Sequence, residues 1–221
     1  ILPVGHTGYG DSPYSSYSAF AGNPLLIDTD SLPYFDQKLK VTHTDKVNFN
    51  QIKIEKLPRL KEAATKFINS DSDKTDYENF KLENAYWLFD YAFFSALKEY
   101  HNEEPVWSFE DGLKFRNKKV LDQYKTKLKK EIEQNLVIQY FFFDQWFKLK
   151  NYANKEGIKI IGDIPLYVAG DSSDVWINPE IFMLNEELTP LFVAGVPPDY
   201  FAETGQLWGN PVYEWEGSKK T

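Results

Sequence analysis

Cysteine is absent from the 221 residues, methionine occurs once and histidine three times. Without thiols there is no disulfide framework, no thiolate metal site and no cysteine nucleophile. His6, His43 and His101 are scattered with no ligand spacing among them, so each reads as a surface or packing histidine and no metal site is expected. Positive charge is in short supply: 25 Lys and Arg stand against 33 Asp and Glu, a formal net charge of -8. Phosphate backbones and anionic membranes attract clustered Lys and Arg. The densest basic stretch, 125–130, falls on a predicted helix and reads as a solvated face. Nucleic acid and membrane are therefore not expected partners. Long apolar runs are missing too. The longest, around Tyr140-Phe141-Phe142-Phe143, ends at Asp144, well short of the roughly 20 residues of a membrane span. No secretory signal pattern opens the chain, and the lack of cysteine suits the cytoplasm. Gly-rich phosphate loops and the G-x-S-x-G nucleophile elbow are also absent.

What the chain has in excess is aromatic side chains: 17% of residues, as 17 Phe, 14 Tyr and 6 Trp. Hydrophobic residues at 42% and charged residues at 26% are ordinary for a globular protein. Most of the Phe belong to a core of large side chains. Tyr and Trp beside Gly, Pro and Asp in loops fit a different role, since their flat apolar faces and polar handles suit sugar rings and hydroxyls. A neutral, hydroxyl-rich ligand is compatible with the charge balance.

The length allows one large domain or two small ones. Residues 1–35 read as a strand end and a long structured loop rich in Gly, Pro, Ser and Tyr. Residues 36–135 are a mainly helical insertion. A helix is expected over 52–68, interrupted or started by Pro58, and another over 82–101 with a stripe of Tyr86, Leu88, Phe89, Ala92, Phe93, Ala96 and Leu97. A long helix spans 120–152 with a break near Asn135. Residues 136–221 supply a barrel helix, a strand and an active-site loop. Gly157 closes the helix, and Ile158-Lys159-Ile160-Ile161-Gly162-Asp163 follows at once as a buried strand. Helix, Gly turn and β-branched strand make half of a βαβ unit and point to a parallel sheet. Residues 163–216 read as loop with a helix over 174–182. The chain begins with Ile rather than Met and reads as a fragment.

Three stretches are candidates for chemistry. In Ile158–Trp176, Asp163 ends a hydrophobic strand ahead of Pro165, where its carboxylate either receives hydroxyls or satisfies loop N–H groups. Asp171 and Asp174 read as helix-start caps beside Ser172 and Ser173. In Val193–Asn210, two prolines and three glycines shape a loop system carrying Tyr200, Phe201, Gln206, Trp208 and Asn210. That mix suits a sugar site, and equally an ordered loop packed on its own aromatics. In Gly8–Tyr17, Ser12, Tyr14 and Tyr17 offer hydroxyls, or form a Tyr-rich turn held by Asp11 and Pro13.

Thr7-Gly8-Tyr9-Gly10-Asp11-Ser12-Pro13-Tyr14, Ser18-Ala19-Phe20-Ala21-Gly22-Asn23-Pro24, Ile161–Trp176 and Val193–Trp215 together resemble the amylomaltases, the 4-α-glucanotransferases of glycoside hydrolase family 77, in order and spacing. His6 stands where that family usually has proline. The resemblance implies an α/β fold: part of a (β/α)8 barrel with a large helical insertion, holding the end of the second strand, the insertion, the third strand and the loop after it. Closing such a barrel takes about 250 residues. The implied activity is retaining transfer of α-1,4-glucan segments between maltodextrins or starch-derived oligosaccharides, without cofactor or metal. The family's nucleophile, acid/base and third Asp lie beyond this chain, so no catalytic residue is assigned within it. Asp163 matches the carboxylate at the third strand, and Ser12 and Tyr14 match positions near the donor sugar. Tyr200, Phe201, Gln206, Trp208 and Asn210 match a flexible loop that covers the cleft and excludes water. The alternative expectation is a maltodextrin-binding fragment without catalysis.

Overall fold

The computed structural model describes residues 1–32, 34, 35 and 45–215. The start of the expected insertion, His43 and the tail 217–221 lie outside the described residues. Helix α1 (Phe49–Asn69) begins where the Asn48 side chain accepts a hydrogen bond from the Gln51 amide at 3.1 Å, satisfying an otherwise open N–H of the first turn. It runs unbroken through Pro58, where an interruption or a start was expected. Proline costs the helix one internal bond. The carbonyl left over belongs to Ile54, on an exposed side of the helix where water can meet it.

Two helices, α2 (Thr75–Glu83) and α3 (Leu88–Tyr100), replace the single one expected over 82–101. Asn84 fixes the turn between them. Its Nδ2 donates to the Phe80 carbonyl at 2.9 Å, and its Oδ1 accepts from Trp87 Nε1 at 3.0 Å. Tyr86 and Phe89 of the expected stripe are left exposed, whereas Leu88, Ala92, Phe93, Ala96 and Leu97 are buried. After α4 (Asp111–Lys114) come α5 (Lys118–Lys127) and α6 (Lys129–Lys155). The break in this stretch falls at Leu128 and not near Asn135. Asn135 sits buried inside α6 with Nδ2 3.5 Å from the Ala92 carbonyl. An amide directed at a facing helix does not compete with its own backbone. Leu60, Ala64 and Phe67 of α1, Ala92 and Leu97 of α3, and Val137 and Phe141 of α6 share one core. The alanines let α1 and α3 lie close against α6.

Gly157, at φ 77°, terminates α6. Residues 158–163 follow, but they are not the buried strand expected. Among the described residues they join no β-ladder, and Ile161 is 82% exposed. The Ile161 carbonyl accepts a hydrogen bond from the Ile1 nitrogen at 2.7 Å, which brings that nitrogen against residue 161. A parallel strand is apolar on both faces because strands and helices cover it. Without such cover, Ile158, Ile161 and Ile164 remain in solvent.

Beyond residue 163, α7 (Ser173–Ile177) and a single 3-10 turn (Pro179–Ile181) divide the helix expected over 174–182. Trp176 of α7 is fully buried against Phe93 and Phe94, with ring centroids at 5.8 and 6.2 Å. Its Nε1 donates to the Leu113 carbonyl at 3.0 Å. The last elements, β1 (Val193–Val196) and β2 (Gln206–Pro211), form an antiparallel hairpin where a loop was expected. Val193 pairs with Pro211 and Gly195 with Leu207, so β2 has extra residues over Trp208–Asn210. A bulge of this kind re-aims side chains, and Gly209 supplies the positive φ of 80° that it needs.

Candidate functional site

Hydrogen bonds to main-chain carbonyls join the first loop to the chain that follows residues 158–163. Ala169 N donates to Ser16 O at 2.9 Å, and Ser173 donates to Tyr17 O through both N and Oγ at 2.9 and 3.0 Å. The Asp174 carboxylate accepts from Ala19 N at 3.1 Å, and its burial raises its pKa. Ser172, not an aspartate, caps α7, accepting from Val175 N at 3.2 Å. Asp171 serves elsewhere: it pairs with the buried Lys98 Nζ and accepts from Val106 N at 3.0 Å. Lys98 also donates to the carbonyls of Glu103 and Glu104 at 2.8 and 2.7 Å. The loop is thus clamped to the end of α3.

At the head of this junction the Tyr14 hydroxyl donates to Asp163 Oδ2 at 2.8 Å. The hydrogen bond to Asp163 is the main cause holding the Tyr14 phenol above its ordinary pKa, so at neutral pH it is a donor. Ser12 shapes the turn beneath. Its Oγ accepts from Tyr14 N at 3.3 Å and its carbonyl from Ser15 N at 3.1 Å. Asp11 adopts φ 55° and is held by Lys53 of α1 at 2.6 Å. A polar edge and a half-exposed phenol ring therefore face solvent beside Asp163.

The hairpin brings the remaining candidates. Trp208 lies tilted against Tyr167 at 6.4 Å, and its Nε1 donates to Gln206 Oε1 at 3.1 Å. Tyr200 and Phe201 pack perpendicular to each other at 5.5 Å and stand 96% and 89% exposed. Asp199 stiffens their turn by accepting from the amides of Phe201 and Ala202 at 2.9 and 2.8 Å. Gly205 closes it at φ 73°, where a Cβ would come within 2.5 Å of the Val196 carbonyl. Asn210 points inward: it is 6% exposed and donates to the carbonyls of Val168 at 2.9 Å and Tyr14 at 3.4 Å.

Tyr14, Asp163 and Asn210 are thus tied together, and Gln206 and Trp208 lie on the same hairpin as Asn210. The rings of Tyr200 and Phe201 stand out in solvent and are not brought onto the Tyr14–Asp163 pair. Sequence reasoning missed Tyr167, although its place four residues past Asp163 and two past Pro165 fits the aromatic-near-turn pattern used for Trp208. It also missed Lys53 and Lys98, for which lysines on helices gave no signal. Among the described residues, no group of three or more His, Cys, Asp or Glu is placed to hold a metal ion. No helix among them is long and apolar enough to cross a membrane.

A long helical excursion with polar residues gathered at Tyr14 and Asp163 on its far side fits part of a (β/α)8 barrel, the class of fold whose site lies at the strand ends. The sequence model of the 4-alpha-glucanotransferase family (Glyco_hydro_77) matches residues 1–221, and the chain belongs to that family. It is 47% identical to a 4-alpha-glucanotransferase of Clostridium butyricum, over 100% of this chain and 47% of the relative. It is 45% identical to that of Thermus thermophilus, over 98% and 44%. Among solved structures it resembles an amylomaltase from Streptococcus agalactiae in complex with acarbose, at TM-score 0.92 and 40% identity, covering 100% of this chain and 46% of that one. The chain spans about half the length of the curated relatives it matches.

Proposed function

We propose that this chain is the donor-side portion of an amylomaltase that moves α-1,4-glucan segments between maltodextrins with retention of configuration. The observation that carries the reading is the Tyr14–Asp163 hydrogen bond at 2.8 Å, which holds a carboxylate and a phenol together. Asp163 receives sugar hydroxyls, Tyr14 orients that carboxylate and offers its ring, and Ser12 shapes and lines the turn. Trp208, with Gln206 braced against its indole, gives a sugar ring an apolar face. Tyr200 and Phe201 close over the bound chain. Two exposed aromatics on a stiffened turn lose apolar surface to water only when something lies beneath them. Their closure would exclude water and favour a sugar hydroxyl as acceptor.

In a retaining reaction one carboxylate attacks the anomeric carbon and a second protonates the leaving oxygen. We place both outside the 221 residues, so the chain contributes binding and orientation. The enzyme works without metal or organic cofactor, on neutral oligosaccharides, in the cytoplasm. Incubation with maltotriose and chromatography of the products tests this. The full-length polypeptide is expected to give glucose together with longer maltodextrins, and the isolated chain none. Transfer by the isolated, folded chain would show that its essential carboxylates are within it. No transfer by the full-length polypeptide would end the proposal.

A further inference from the structure

We propose that Asn210 is a positioning residue that locks the aromatic hairpin to the Tyr14–Asp163 pair, and that this lock sets the balance between transfer and hydrolysis. The reading rests on the transfer activity proposed above. One side-chain nitrogen serves two carbonyls, Val168 O at 2.9 Å and Tyr14 O at 3.4 Å. An amide nitrogen carries two N–H donors, so both bonds come from a single group. Each acceptor belongs to a different functional segment. Val168 follows the exit at Asp163, and Tyr14 is the residue whose hydroxyl holds Asp163. Asn210 itself belongs to β2, which carries Gln206 and Trp208 and continues from the turn bearing Tyr200 and Phe201.

The local geometry directs this role. The excess residues of β2 over Trp208–Asn210, with Gly209 at φ 80°, break the alternation of the strand. As a result Trp208 stays half-exposed while Asn210 is 6% exposed. A buried amide spent on two main-chain carbonyls is a poor ligand for a sugar, yet it determines where the neighbouring rings stand. Aspartate has nearly the same shape but no N–H, and it would set a carboxylate against two carbonyl oxygens. Serine keeps one donor in less volume.

The test compares Asn210→Asp and Asn210→Ser with wild type in the full-length polypeptide, with hydrogen exchange and product analysis on maltotriose. Expected is faster exchange in 12–16 and 197–208 together, with exchange in α3 and α6 unchanged. The hydrolysed fraction should rise severalfold and kcat/KM should fall by roughly tenfold or more, as small misplacements do at reacting centres. If Asn210→Asp does not fold, Asn210→Ser carries the same readouts with smaller changes. Unchanged exchange in the two segments, or a lower melting temperature with wild-type product partition, overturns the proposal. Wild type that makes no longer maltodextrins overturns the proposed activity instead, and the exchange data still decide the lock.

Discussion

The hydroxyl of Tyr14 reaches Asp163 Oδ2 at 2.8 Å across 149 residues of sequence. Between the two lies the whole helical excursion, whose core holds both ends in place. Tyr14 comes from the loop after residues 1–4, and Asp163 from the end of 158–163. The two segments are joined directly by the hydrogen bond from Ile1 to Ile161.

Removing the Tyr14 hydroxyl should weaken catalysis without unfolding the protein. Tyr14→Phe keeps the ring and loses the donor to Asp163. A hydrogen bond to a charged group commonly carries a ten- to hundredfold effect, so roughly that fall in kcat/KM is expected. The melting temperature should change little, because the ring is half in solvent. Wild-type kinetics in the full-length Tyr14→Phe variant would show that the bond is not used.

Lys98 is 2% exposed and donates to Asp171 and to two carbonyls at the end of α3. Replacing it with Met leaves Asp171 and those carbonyls without their cation. Breaking one side of a buried pair costs about 3–5 kcal/mol. Denaturant unfolding of Lys98→Met should show that loss. Stability within about 1 kcal/mol of wild type would mean that water replaces the ammonium.

Gly22 has no room for a methyl group. A Cβ there would lie 1.9 Å from Phe142 Cδ1, and the Gly22 amide already donates to Gln139 Oε1 at 2.8 Å. Gly22→Ala should cost at least about 1–3 kcal/mol by overpacking. The companion Gly22→Ala, Phe142→Leu should recover part of it. Calorimetry of the two variants checks this, and equal melting temperatures would rule out the clash.

Acid should loosen the first loop through His6. Its ring packs edge-on against Tyr17 and Tyr91 at 5.3 and 6.0 Å, with Nδ1 2.6 Å from the Tyr91 hydroxyl. Burial, aided by the Lys53 charge, lowers its pKa from 6.5 to about 4. Between these values the unfolded chain binds the proton and the folded chain does not. Stability from His6 is therefore complete above pH 6.5 and lost as pH falls toward 4, by about 3 kcal/mol in all. Glu99 and Asp174, whose pKa values burial raises, act in the opposite sense. The comparison is accordingly with His6→Asn, which does not titrate. The stability difference between the two proteins should shift by that amount from pH 7 to pH 4, and parallel pH curves would contradict it.

Much of the helical part was legible because its signals are local. The apolar spacing of α3 and α6 and the glycine after α6 sit within a few turns of the chain. The breaks were not, because they depend on partners. Asn84 makes its turn with Phe80 and Trp87, and Asn135 is drawn toward Ala92 of α3. Pro58 is tolerated because Ile54 faces water. The hairpin was hidden for a similar reason, since its β2 is irregular over Trp208–Asn210 and lacks simple alternation.

By itself the sequence determined the kind of protein. Its spaced blocks of Gly, Pro, Asp and aromatics carry the family, and its lack of cysteine and low basic charge remove whole classes of chemistry. Only the tertiary structure decided which of those residues work together. It joined Tyr14 to Asp163, turned Asn210 inward and left Tyr200 and Phe201 in solvent. Composition and spacing act along the chain, whereas a hydrogen bond between residues 149 positions apart exists only once packing has brought their segments together.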